Sequence, residues 1–109
     1  MSWATEYIPE ALDDLRQLDG SQRLLVRKAI AKVSKNPLPK EEGGFGTPLG
    51  NKGERNLTGF LKIKLQKAGL RVVYKLVRVN DTMMVVVIGA RADEEVYNTA
   101  TSRAQKHKL

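Results

Sequence analysis

Apolar and polar positions along this 109-residue chain change period several times, and each change marks an element. Trp3 to Tyr7 alternates large residues with small or polar ones and predicts a short strand, ended by Pro9, which suits the first turn of a helix. From there Ala11, Leu12, Leu15 and Leu18 fall three and four apart, a single helical stripe, with Glu10, Asp13 and Asp14 near the positive end of the helix dipole. Asp19-Gly20-Ser21 interrupts the stripe. Gly20 suits a left-handed cap, and Ser21 caps a second helix to about Asn36, in which Leu25, Val26, Ala29, Ile30 and Val33 form the buried side. Two helices joined this closely make an antiparallel hairpin whose second member shows Arg23, Arg27, Lys28, Lys32 and Lys35 to solvent.

Residues 37–59 hold Pro37, Pro39, Pro48 and six of the nine glycines, and read as one extended, mobile loop. A loop this long in a small domain either serves contact and ordering on binding or is a tolerated surface insertion. Phe60 to Gln66 then alternates cleanly, Leu61, Ile63 and Leu65 against Lys62, Lys64 and Gln66, as a half-buried strand does. After a turn at Lys67–Leu70, Arg71 to Val79 is a β-branched second strand, and after Asn80-Asp81 the apolar run Met83 to Ile88 suits a strand buried on both sides. A last helix starts near Asp93, and the basic end from Arg103 to Leu109 is expected to fray. The order βααβββα predicts a small single α+β domain over residues 1–109, with the helical hairpin and C-terminal helix around a mainly antiparallel sheet.

Charge changes the picture more than composition does. The chain carries +7, and the excess is lopsided: residues 1–60 hold 9 basic and 8 acidic groups, residues 61–109 hold 10 and 4. Such asymmetry points to a polyanionic partner, with solubility as the plainer alternative. With no cysteine, thiolate nucleophiles, disulfides and zinc–thiolate sites are excluded. The start lacks a basic segment leading into an apolar one, and no apolar run approaches the about 18 residues of a membrane helix, so a cytoplasmic protein without a membrane partner is expected.

If residues 67–70 form the turn of the central hairpin, Gln66 faces Arg71, Lys64 faces Val73 and Lys62 faces Lys75. Lys62, Lys64, Arg71 and Lys75 then share one face, and like charges opposed across a sheet are unfavourable unless something anionic binds there. Lysines that discourage edge pairing are the competing explanation. Other chemistry is scarce. His107 is the only histidine and falls in the end expected to fray, no His, Asp and Glu cluster has metal-ligand spacing, and the serines lack a histidine partner. The glycines of GGFG and PLGNKG do not join a strand to a helix as a phosphate loop requires. No metal or other cofactor is expected. Lysine, arginine and tyrosine remain, and crowded cations lower a lysine's pKa toward useful base strength.

The helical hairpin followed by KIKL, GLRVVYKL, an apolar strand with Gly-x-Arg, and EEVY in the last helix resembles the RelE branch of the RelE/ParE toxin superfamily. The resemblance spans most of the chain and is densest from Phe60 to Tyr97. It implies a RelE-like fold and a ribosome-dependent mRNA interferase that cuts mRNA in the A site by 2′-OH attack without a metal. It further implies that Lys62, Lys64, Arg71, Arg91 and Tyr97 form the catalytic set. By the same likeness Arg23, Arg27, Lys28, Lys32 and Lys35 touch ribosomal RNA, a cognate antitoxin wraps the toxin, and DNA is bound only as the toxin–antitoxin complex. Two features depart from a short family member: extended residues 37–59, and Asp93-Glu94-Glu95 beside Arg91. The rivals are a ParE-like gyrase poison and a non-catalytic nucleic-acid-binding homologue, neither of which requires all five site residues.

Overall fold

The first helix starts where Pro9 locks φ and ends with Leu18 already extended; the second starts at Asp19, whose carboxylate accepts from Gln22 N at 2.8 Å. Asp19 therefore takes the capping role expected of Ser21, whose hydroxyl instead donates to Asp19 at 2.9 Å, and Gly20 is not left-handed. In this computed structural model, which describes residues 3–52, 55–65, 68–90 and 93–109, the elements are β1 (Ala4–Tyr7), α1 (Pro9–Gln17), α2 (Gly20–Val33), β2 (Thr47–Lys52), β3 (Arg55–Leu65), β4 (Leu70–Val77), β5 (Thr82–Ala90) and α3 (Asp93–His107). The α+β class is as expected. The sheet has one strand more, because the segment read as loop contains β2 and the first residues of β3.

Strand order is β1-β5-β4-β3-β2, antiparallel except for the parallel β1–β5 pair. Proline and glycine in β2 hide a strand that is tolerable only at a sheet edge, where it pairs Thr47 with Lys62 and Pro48 with Leu61. Val72, Val73 and Tyr74 are consecutive and fully buried, so the centre of the sheet is covered on both sides. The Lys62 and Val73 side meets Val96, Tyr97 and Ala100 of α3. α1 packs on β5 and α2 on β3, and on the Leu61 and Tyr74 side Tyr74 donates to Pro37 O at 2.7 Å, just beyond α2. Burial pushes the Tyr74 phenol pKa up, so this donor keeps its proton. The helical stripes are narrower than expected: Val26, Ile30 and Val33 are buried, whereas Leu12 and Leu25 stand exposed, as does Leu24.

The hairpin register differs by two residues from the expected one. Lys64 faces Arg71, Lys62 faces Val73, and Lys75 faces Phe60. Two residues is a full period of a strand, so every side chain keeps its expected face while its partner changes. In β5, register shifts at Val86 and at Gly89, where φ is +93°, mark bulges that keep the strand beside β4 as it bends.

β1 stops at Tyr7 opposite Val85, yet β5 runs on to Ala90. Its open backbone is met by side chains: Asp14 Oδ2 accepts from Ile88 N at 3.0 Å, and Arg103 Nη1 donates to Val86 O at 2.9 Å. Arg103 also grips Asp14 through two bonds, 2.6 and 3.1 Å, tying α3 to α1. One turn on, Lys106 and His107 both reach Glu10, each at 2.9 Å, and Leu109 N donates to Ala104 O. The C-terminal end is thus docked rather than frayed, and His107 is half-buried and bonded.

Asp14→Ala is expected to lower unfolding free energy by about 2–4 kcal/mol, because it strands a mostly buried guanidinium and an edge N–H, as urea denaturation will read. The Lys106 ammonium, the Glu10 backbone N–H and the His107 ring hold the Glu10 carboxyl at about 2, below an ordinary 4.5. A carboxyl depressed in the folded state stabilises above its unfolded value and stops doing so as pH falls through its folded one. The thermal midpoint of the wild type is therefore expected to exceed that of Glu10→Gln at neutral pH, and the gap to close between pH 4.5 and about 2.

Candidate functional site

The alternation of β3 sets Lys62 and Lys64 on one face, two residues apart, and α3 lays Tyr97 against the first of them. Lys62 is only 9% exposed. A buried ammonium needs polar company, and Nζ donates to the Tyr97 hydroxyl at 3.2 Å. It also lies 5.6 Å from that ring's centroid, so it stands off the hydroxyl edge and not over the π face. The hydrogen bond, not a cation–π contact, is the operative interaction.

Lys64 is exposed and directly opposite the half-buried Arg71 across the β3–β4 ladder. This is the like-charge juxtaposition that disfavours a sheet in the absence of an anion, and it involves Lys64 with Arg71 instead of Lys62 with Lys75. Both line a cavity of about 310 Å³ with Leu65, Gly69 and Leu70. Gly69, at φ +67°, supplies the turn that brings the strands together.

The edge of β3 supplies a second surface. Pairing with β2 reaches only as far as Lys62, and along Ile63–Leu65 a cavity of about 390 Å³ opens toward α2. Lys32, Lys40, Lys62 and Lys64 contribute to its walls, together with Phe45 and Thr47.

The structure thus gathers Lys62, Lys64, Arg71 and Tyr97 in one region. Arg91 lies outside the described residues; its neighbour Ala90 is paired with Arg71. Of the other cations singled out, Lys32 joins the second cavity, while Arg27, Lys28 and Lys35 are exposed. Arg23 is half-buried and donates to Leu18 O at 2.9 Å, bracing the turn between α1 and α2. Lys75 sits over Phe60, its ammonium 5.3 Å from the ring centroid. Lys40, Phe45 and Thr47 were not legible as site residues; a lone aromatic among the glycines of GGFG, five positions after a lysine, was the available signal.

A lysine–phenol pair next to an opposed lysine–arginine pair, with Lys64 lining both neighbouring cavities, can bind a phosphodiester, stabilise extra charge on its phosphorus and move a proton nearby. No protein-family model matches the chain. The mRNA interferase toxin RelE of Escherichia coli K12 is 27% identical over 103 residues, covering 94% of this chain and 98% of the relative; the mRNA interferase RelE of Shigella flexneri gives the same figures. Among solved structures, an arginine-to-alanine double mutant of E. coli RelE in the free state superposes with a TM-score of 0.72 at 24% identity, covering 94% of this chain and 98% of that one. The same mutant in complex with a peptide of the antitoxin RelB gives 0.67 at 24% identity, covering 92% and 95%. Nearly end to end, in sequence and in fold, this chain is RelE-like.

Proposed function

We propose that the chain is the toxin of a type II toxin–antitoxin pair, acting in the cytoplasm as a ribosome-dependent endoribonuclease on mRNA in the A site. The observation that carries this is the Lys62–Tyr97 hydrogen bond beside the opposed Lys64 and Arg71, in a chain whose relatives are named mRNA interferases. One of Lys62, Lys64 or Tyr97 takes the proton of a ribose 2′-OH. The freed oxygen attacks the adjacent phosphorus in line, and the bond from phosphorus to the 5′-oxygen breaks. Lys64 and Arg71 hold the charge that accumulates on the phosphorane, and Arg91 is the further cation assigned to it. The leaving oxygen gains a proton, giving a 2′,3′-cyclic phosphate and a 5′-hydroxyl.

An antitoxin is the second proposed partner. RelB bound to the E. coli toxin is the precedent, and the +7 charge suits an acidic or amphipathic segment, with Leu12, Leu24 and Leu25 offering apolar contact on the helical hairpin. Exposed Arg27, Lys28 and Lys35 suit ribosomal RNA phosphates.

Primer extension on an mRNA undergoing translation, with and without ribosomes, tests the nuclease reading. The wild type is expected to cut only with ribosomes present. Lys64→Ala and Arg71→Ala are expected to slow cutting by roughly 10²–10³-fold, the usual loss for one charge-stabilising donor. Lys62→Met, which keeps the buried stem, is expected to fold and to lose cutting. Undiminished cutting by these variants removes the mechanism, and inhibition of supercoiling without RNA cleavage replaces it with gyrase poisoning.

A further inference from the structure

The chain from Asn36 to Gly46 is folded back on itself. Phe45 N donates to Asn36 O at 3.0 Å, Gly46 N to Leu38 O at 3.0 Å, and Lys40 N to Gly46 O at 2.9 Å. Asn36 Nδ2 adds a bond to Gly43 O, and Arg78 clasps Glu42 through two bonds of 2.9 and 3.2 Å, fastening the loop to the end of β4. A Cβ at Gly44 would overlap the Leu38 carbonyl, and one at Gly46 the Tyr74 hydroxyl and Leu61. Between these two glycines Phe45 is turned outward, 46% exposed, with the Lys32 ammonium 5.6 Å from its ring centroid. Its cavity is the one that Lys32, Lys40, Lys62 and Lys64 line.

We infer that Phe45 is a substrate-positioning residue, a platform on which one unpaired base of the RNA next to the cut stacks while Lys32 and Lys40 meet the neighbouring phosphates. This deepens the proposed nuclease reading and rests on it. A rigidly presented aromatic ring among ammonium groups is the combination that holds single-stranded nucleic acid: the ring takes the base by its π face, and the cations follow the backbone. Because the cavity is continuous with Lys62 and Lys64, the stacked base belongs to the same strand as the scissile linkage. Stacking does not distinguish one base from another, so the platform adds affinity and leaves codon choice to other contacts. An incoming phosphate draws the Lys32 ammonium away from the ring and frees that face.

The test uses full-length protein and ribosomes carrying mRNAs in which one nucleotide at a time, up to three on either side of the cut, is made abasic. Phe45→Ala is expected to raise KM by roughly fivefold or more, with kcat changed by less than about twofold, and Phe45→Tyr to restore KM. At one position the abasic substitution is expected to raise KM for the wild type by a similar factor and to leave Phe45→Ala unaffected, since the two changes delete the same contact. If wild type cuts and Phe45→Ala matches it, or if the two effects multiply at every position, the platform is refuted while the nuclease stands. If wild type cuts nothing, the nuclease reading fails and the platform falls with it.

Discussion

The far half of α3 is tied to the rest of the domain first of all through one carboxylate. Asp14 stands on α1, yet it bonds the guanidinium of Arg103 on α3 and the backbone of β5 where β1 has run out. An uncovered sheet edge and an unneutralised cation are each unfavourable, and this group answers both. Glu10 repeats the device one turn away through Lys106 and His107. With α3 held at its far end in this way, its first turns lie over β3, and Tyr97 meets Lys62.

That meeting matters because Lys62 is a cation buried between the sheet and a helix. Its hydrogen bond fixes the ammonium and the phenol relative to each other before any substrate arrives, which is what preorganisation means for a small site. Lys64 and Arg71 have the opposite economy: exposed or half-exposed, facing each other, and improved by an anion between them. A buried pair that positions and a more exposed pair that attracts anions are the complementary parts on which the proposed phosphate-directed surface rests.

Patterns with a short period were readable in the sequence. Alternation in β3 and β4, the apolar run of β5 and the stripes of α1 and α2 sufficed for the fold class and for the faces on which Lys62, Lys64 and Arg71 lie. Alternation leaves the hairpin register open by two residues, because the pattern repeats with the same step, and only the observed pairing of Lys64 with Arg71 fixes it. β2 is not legible in the sequence because Pro48 and Gly50 read as loop, and only the cross-strand partners in β3 make them a strand. The C-terminal end looked ready to fray because its charges have no local partners; Asp14 and Glu10 lie about ninety residues away along the chain. Convergence of Tyr97 on Lys62 is likewise a product of tertiary docking, and the resemblance to a known family suggested it where periodicity did not.

The crowding at Gly44 and Gly46 bears on how such a chain can diversify. No side chain of any kind fits at either position without displacing the Leu38 backbone or the Tyr74 hydroxyl, so mutational drift is barred on both sides of Phe45. Only the residue between them is free to vary in size and polarity. A single codon, insulated from the stability of the domain by its rigid neighbours, is thereby left as an independent dial on whatever that surface touches.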